Sequence, residues 1–145
     1  MKYYYLSFEP EDVNLGLGTA YGPKGLIRLI PMNGAPLKEW PYPQFELRGG
    51  KFGDQQPNNA VLHLCSARMR DLIDSLRAPD DPIHWLPASV VSSRERLPYF
   101  VLTFPECLNV IDRVRSIGVR GTVDPVLIAA SIGHHQIVGI PDGIS

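Results

Sequence analysis

The segment Ser66–Arg77 has the hydrophobic spacing of an amphipathic helix, and this helix constrains the fold more than any other feature. Its apolar residues recur at helical spacing and form one stripe: Met69, Leu72, Ile73 and Leu76. A helix with one apolar stripe is stable in water only when the stripe packs against another element. We therefore expect a sheet beneath this helix, with Leu72 and Leu76 buried against it.

The two ends of this helix and its polar side are also readable from the sequence. Ser66 is a good N-cap. Segment 78–82, which contains Pro79 and Pro82, ends the helix. Arg70 and Asp74 are four residues apart, a spacing that predicts an exposed ion pair on the solvent side.

Two strand-like segments, 83–91 and 98–104, follow the helix and are the candidates for the sheet. The charged turn 92–96 joins them, which predicts an antiparallel hairpin with the helix on one face. We therefore predict an α+β fold. It consists of a single domain over residues 1–145, with a mainly antiparallel sheet and one principal amphipathic helix packed on one face.

Other parts of the chain give weaker secondary-structure signals, because its 13 glycines and 14 prolines favour turns and short elements. Further strands are predicted at 2–8, 25–30, 43–47, 60–64, 124–132 and 136–140. Segment 106–116 fits a helix and a strand equally well.

Composition excludes some classes of function. The formal net charge is -1, which argues against a nucleic-acid-binding domain, since such domains carry a basic surplus. No apolar run approaches the roughly 18 residues that a membrane helix needs, and the N-terminus does not resemble an export signal. We expect a cytoplasmic protein, no membrane partner, and free thiols at Cys65 and Cys107.

Catalytic and metal-binding signatures are weak. His63, Cys65, His134 and His135 are the possible metal ligands, but their spacing is not that of a zinc motif. If His134 and His135 lie on a strand, they point to opposite faces and cannot easily share one site. We predict no catalytic residue, no cofactor and no metal, and keep as the alternative a small hydrolase or metalloenzyme that uses His63, Cys65, His134 or His135.

Large aromatic and arginine side chains in predicted loops are candidates for contact with a partner protein. Trp40 and Tyr42 lie among prolines, and Arg94 and Arg96 lie in the predicted hairpin turn. Tyrosine, tryptophan and arginine dominate the energetics of protein interfaces, so these four residues are the predicted partner-binding set.

Several segments together resemble a bacterial immunity-protein family that accompanies polymorphic toxins, often labelled immunity family eleven. The resembling segments are Ser66–Ile73, Ile83–Pro87, Pro98–Phe104 with the run into Asp112, Trp40–Pro41, Phe45–Leu47 and Gly133–Pro141. The resemblance covers most of the chain and carries no catalytic motif.

The resemblance implies that the protein binds a cognate bacterial toxin domain encoded by a nearby gene and blocks it sterically, without enzymatic activity. The alternatives are the small hydrolase or metalloenzyme named above and a binding or scaffold module with no toxin partner. Members of the family commonly continue with a strand and a helix beyond the segment that resembles His134–Pro141, whereas this sequence stops at Ser145. An unprotected sheet edge would favour pairing with a second copy, so a homo-oligomer is possible.

Overall fold

A computed structural model describes residues 15–30, 37, 39–105, 118–119, 122–123 and 129–137. The strands are β1 (Thr19–Tyr21), β2 (Gln44–Arg48), β3 (Leu64–Ser66), β4 (His84–Val91), β5 (Arg96–Thr103), β6 (Gly118–Val119) and β7 (Thr122–Val123). The helices are α1 (Ala67–Leu76), α2 (Ala129–Ile132) and a 3-10 helix at Leu26–Leu29. None of the helices described is long and apolar enough to cross a membrane.

Five strands form one curled sheet in the order β1-β2-β4-β5-β3, and the predicted α+β fold is confirmed. The β2–β4 pair is parallel and the other three pairs are antiparallel. The longest pairing is the predicted β4–β5 hairpin, which runs in register from His84 opposite Thr103 to Val91 opposite Arg96. Strands β6 and β7 form a separate two-stranded sheet.

The sheet buries apolar side chains on both faces. The inner face of the curl contains the larger cluster, with Phe45, Leu64, Val90, Tyr99 and Val101 at its centre. The outer face packs against α1 through a smaller cluster of Cys65, Ile73, Ile83 and Leu102. Because successive strand residues alternate between faces, one hairpin contributes to both clusters.

Segment 51–59 connects the two edges of the sheet, although no strand is assigned to it. On one side Gln56 N–H donates to the carbonyl of Leu64 in β3, at 2.8 Å. On the other side Ala20 N–H in β1 donates to the carbonyl of Pro57, at 2.7 Å. Within the described residues, both edge strands of the five-stranded sheet therefore have hydrogen-bonding partners in segment 51–59.

Helix α1 begins and ends as predicted, but it is rotated about its axis relative to the expected orientation. Ser66 Oγ accepts a hydrogen bond from Met69 N–H at 3.1 Å, which confirms the N-cap. Ile73 is buried, whereas Leu72 and Leu76 are 54% and 63% exposed, so the prediction that both leucines are buried is wrong.

Polar contacts with the sheet explain this rotation. The Arg70 guanidinium lies 3.9 Å from the centroid of the Phe100 ring, and Asp74 accepts a hydrogen bond from Trp85 Nε1 at 2.8 Å. These contacts turn the 70/74 side of α1 towards β4 and β5 and move the leucines outwards. The predicted Arg70–Asp74 ion pair is replaced by a contact between Arg70 and Asp71 at 2.9 Å.

Two predicted strands near the sheet are wrong in position or type. Residues 26–29 form the 3-10 helix because Gly25, with φ of 82°, begins a turn in which its carbonyl accepts from Arg28 N–H. The predicted strand 60–64 begins only at Leu64, since Asn58 Oδ1 accepts from the amides of Ala60 and Leu62 and holds a turn there.

Two predicted strands near the C-terminus are also not observed in the residues described. Residues 129–132 of the predicted strand 124–132 are helical, in keeping with the high helix propensity of Ala129 and Ala130. Gln136 and Ile137 form a bend because their amides donate to Asp81 instead of to a neighbouring strand. The predicted strand 2–8, the ambiguous segment 106–116 and Cys107 lie outside the described residues.

Candidate functional site

The four predicted partner-binding residues differ in accessibility. Trp40 is only 9% exposed, and its Nε1–H donates to the carbonyl of Pro87 at 2.7 Å, so it is a core residue and not a loop anchor. Tyr42 is 71% exposed and has a φ of 51°, an uncommon value for a residue with a side chain. Arg94 and Arg96 are both exposed.

Arg96 belongs to a row of side chains that crosses four strands on the outer face of the sheet. Tyr21 lies opposite Glu46, Glu46 lies beside Val91, and Val91 lies opposite Arg96. We call these four residues the exposed row. With neighbouring strands about 4.8 Å apart, the exposed row spans roughly 14 Å. Tyr21, Glu46 and Arg96 are exposed, and Val91 is half-buried.

Arg48 completes this surface from the next exposed position of β2. Its guanidinium lies 4.8 Å from the Tyr21 ring centroid, and its Nε contacts Glu46 Oε1 at 3.1 Å. The hydrogen bond from Arg48 holds the pKa of Glu46 below its usual value. These contacts order the side chains of Tyr21, Glu46 and Arg48 at one place, although an exposed ion pair adds little to fold stability.

The turn that contains Arg94 is held by a single serine. Ser92 Oγ accepts hydrogen bonds from the amides of Arg94 and Glu95, each at 3.2 Å. Ser92 N–H in turn donates to the carbonyl of Glu95 at 2.8 Å. These hydrogen bonds hold the backbone at Arg94 in a defined conformation. Arg94 therefore lies at the end of the sheet where β5 begins with Arg96.

A second group of polar side chains joins the loop after α1 to the turn after α2. His134 Nε2 contacts Asp80 Oδ2, and His135 Nδ1 contacts Asp81 Oδ1 at 3.0 Å. The two imidazole rings stack with their centroids 4.6 Å apart. The expectation that adjacent histidines diverge is therefore wrong, because they lie in a turn and not on a strand.

Asp81 is the buried member of this group, with a side chain that is 0% exposed. Its carboxylate accepts hydrogen bonds from the amides of Ala78, Gln136 and Ile137, at 2.8 to 3.0 Å. A buried carboxylate is tolerated when its oxygens are satisfied in this way. Asp81 therefore fixes both the 78–81 loop and the backbone that follows His135.

Asp80 and His134 form the solvent-facing half of the group. The hydrogen bond between them raises the pKa of His134 and lowers that of Asp80. A charged imidazolium is therefore favoured opposite an ionised carboxylate. Within the part of the chain that the structure describes, Asp80, His134 and His135 form a group whose ligand atoms all lie within 4.8 Å of one another.

The other two possible ligands from the sequence, His63 and Cys65, do not belong to this group. Cys65 is a buried free cysteine in β3, and burial raises the pKa of its thiol to about 12. A thiol with this pKa is protonated at neutral pH, so it is a poor nucleophile and a poor metal ligand. Among the described residues, His63 and Cys65 therefore do not share a metal-type group with the two adjacent histidines.

Sequence reasoning missed Tyr21, Glu46, Arg48, Val91 and Asp80 as site residues. The pairing of β1 with β2 is not visible in the sequence, because β1 has only three residues and lies in a glycine-rich region. One sequence signal was available for Asp80: the chain contains the acidic pair Asp80–Asp81 and the histidine pair His134–His135.

No protein-family model, curated protein or solved structure matches this sequence.

Proposed function

We propose that this chain is a cytoplasmic immunity protein that binds a bacterial toxin domain and blocks it by occupying its surface. The single observation that carries the proposal is the exposed row, Tyr21–Glu46–Val91–Arg96, with Arg48 ordered beside it. It supports a binding function, and the resemblance described above supplies the toxin as the partner.

The chemistry of this surface suits a protein partner. Tyrosine and arginine are enriched among the residues that dominate binding energy, and the exposed row has a tyrosine at one end and an arginine at the other. A standard interface buries about 800 Å² on each partner, which is more surface than the four side chains of the row can supply. Arg94, in the exposed turn two residues before Arg96, extends this surface at the end of the sheet.

Inhibition by occupation requires a tight complementary surface and no catalytic group. Protection is then stoichiometric, because each immunity protein neutralises one toxin domain. An enzyme that destroyed the toxin or its product would protect at much lower ratios. The stoichiometry of protection therefore separates the proposed function from the hydrolase or metalloenzyme alternative.

The experiment titrates the purified protein against the toxin domain encoded by the neighbouring gene and follows residual toxin activity. We expect activity to fall to zero near one equivalent. Arg96→Glu should weaken binding by about thirtyfold or more if Arg96 is an interface anchor. Arg28→Glu, a matched charge reversal at an exposed position of the 3-10 helix, should leave the affinity unchanged.

Four results would contradict the proposal. Complete protection at a small fraction of an equivalent would indicate an enzyme, as would loss of protection in a folded His134→Ala variant. Failure of the neighbour-encoded protein to bind would favour a binding or scaffold module with a different partner. Equal effects of Arg96→Glu and Arg28→Glu would place the interface away from the exposed row.

A further inference from the structure

The group formed by Asp80, His134 and His135 has the composition of a metal site. Two imidazoles and one carboxylate offer ligand atoms that all lie within 4.8 Å of one another. We propose that these three residues bind one divalent transition-metal cation, with zinc as the reference ion. This proposal rests on different residues from the exposed row and does not depend on a toxin partner.

The buried carboxylate of Asp81 supports the site from beneath. Metal-bound histidines commonly donate their second ring N–H to a carboxylate, which fixes the ring orientation and the tautomer. Asp81 Oδ1 lies 3.0 Å from His135 Nδ1, and Asp81 is itself held by three backbone amides. With the hydrogen on Nδ1, the lone pair of His135 Nε2 remains available to a metal.

The exposed half of the group already brings a nitrogen and an oxygen ligand atom together. His134 Nε2 contacts Asp80 Oδ2, although the two residues are 54 positions apart in the chain. A divalent cation held between these atoms would be neutralised in part by the Asp80 carboxylate, and both side chains are exposed enough to open and admit it.

The donor set also selects among cations. Imidazole nitrogen favours zinc, nickel, cobalt and copper, whereas calcium and magnesium require a shell of oxygen ligands. Neighbouring ligands of a tetrahedral zinc ion are about 3.4 Å apart, given bond lengths of about 2.0–2.1 Å. Three atoms within 4.8 Å need only a small closure to reach this spacing, and His134 and Asp80 are exposed enough to move.

A bound metal would connect two segments that are 54 residues apart in the chain. The loop after α1 contains Asp80, and the turn after α2 contains both histidines. A ligand that binds only the folded state stabilises it, so zinc should raise the melting temperature of the wild-type protein. The expected role is therefore a clamp on the C-terminal turn.

The test uses the untagged full-length chain, freed of metal with a chelator, and zinc as the probe. Calorimetric titration should find one zinc ion per chain, and His134→Ala and Asp80→Ala should each reduce the affinity at least tenfold. His84→Ala, at an exposed histidine in β4, is the matched control and should bind zinc as the wild type does. The melting temperature should rise with zinc in the wild type and His84→Ala but not in His134→Ala.

Results of three kinds would overturn the proposal. The first is no stoichiometric zinc binding by the wild type, and the second is unchanged affinity in His134→Ala. The third is an equal loss of affinity in His84→Ala. The His134 side chain is 69% exposed, so its removal should leave the fold intact, and circular dichroism checks this. If Asp80→Ala does not fold, His134→Ala alone decides the outcome.

Discussion

Gln56 shows how one buried polar residue organises the inner face of the sheet. It is fully buried; its Nε2 donates to the carbonyl of Gly18 at 2.6 Å, and its Oε1 accepts from Gly53 N–H at 2.9 Å. Tyr99 OH donates to the carbonyl of Gly53 at 2.8 Å beside it. Truncation of Gln56 leaves the buried carbonyl of Gly18 and the partly buried amide of Gly53 without these partners, which is costly because water does not replace them readily.

We therefore expect Gln56→Ala to lower the free energy of unfolding by about 2–4 kcal/mol. The measurement is urea denaturation followed by circular dichroism. Gln44→Ala, at an exposed position of β2, is the control and should change stability by less than about 0.5 kcal/mol. Equal denaturation midpoints for the two variants would show that the Gln56 hydrogen bonds do not stabilise the fold.

Cys65 gives a second test at the residue scale. Its thiol is buried and has a pKa raised to about 12, so little thiolate forms near pH 8. We expect iodoacetamide to leave Cys65 unmodified in the folded protein and to modify it in urea, as read by peptide mass mapping. Rapid modification of the folded protein at Cys65 would contradict its burial in β3.

At the scale of a single element, α1 shows that the helical spacing of apolar residues does not by itself determine which of them are buried. Ile73 packs against the outer face of the sheet, whereas Leu72 and Leu76 point away from it. We expect Ile73→Ala to cost about 2–5 kcal/mol of unfolding free energy and Leu72→Ala less than about 1 kcal/mol. Denaturation in urea measures both, and a larger loss for Leu72→Ala would restore the orientation expected from the apolar stripe.

The N-terminus of α1 carries a pH-dependent contact. Asp54 accepts a hydrogen bond from the Arg68 guanidinium and another from Ser66 Oγ at 2.6 Å, and these hydrogen bonds, that of Arg68 first, lower the pKa of Asp54. A lowered folded-state pKa stabilises the protein above the unfolded value of about 3.9, and this stabilisation is lost as the pH falls through the folded value.

The stability advantage of the wild type over Asp54→Asn should therefore shrink between about pH 5 and about pH 2. Denaturation midpoints of the two proteins across this range measure the effect. Asp71→Asn is a suitable control, because Asp71 is an exposed carboxylate paired with Arg70 on the same helix. A constant difference across the range would show that the ionised form of Asp54 contributes nothing.

The sequence predicts correctly those features of the elements that depend on contacts between residues close together in the chain. The β4–β5 hairpin and the ends of α1 depend on residues within a few positions of one another, and both predictions are confirmed. The rotation of α1 depends on Arg70 meeting Phe100 and on Asp74 meeting Trp85, contacts that exist only after the sheet has formed.

The two candidate sites follow the same rule. The four residues of the exposed row become neighbours only through the register of four paired strands. Among them, only Arg96 was identified from its residue type. The Asp80–His134–His135 group needs a turn that brings together residues more than fifty positions apart, and periodicity contains no information on such a turn.

At the scale of the whole molecule, segment 51–59 unites the sheet, because it is hydrogen-bonded to both edge strands. Asn58 holds this segment in shape: its Nδ2 donates to the carbonyls of Gln56 and Leu62, and its Oδ1 accepts from the amides of Ala60 and Leu62. One side chain thus supports the connection to β3 and the connection to β1. The two edges should consequently open together and not independently.

Hydrogen exchange measured by NMR tests this coupling. In the wild type, the amides of Ala20 and Gln56 should exchange slowly, because each forms a hydrogen bond between segment 51–59 and an edge strand. The amide of Arg94, in the exposed turn, should exchange fast. Asn58→Ala should accelerate exchange at both Ala20 and Gln56, while Gln44→Ala should accelerate neither. If Asn58→Ala affected only the amides of residues 58–62, the segment would be a local turn, and the sheet edges would be held by independent contacts.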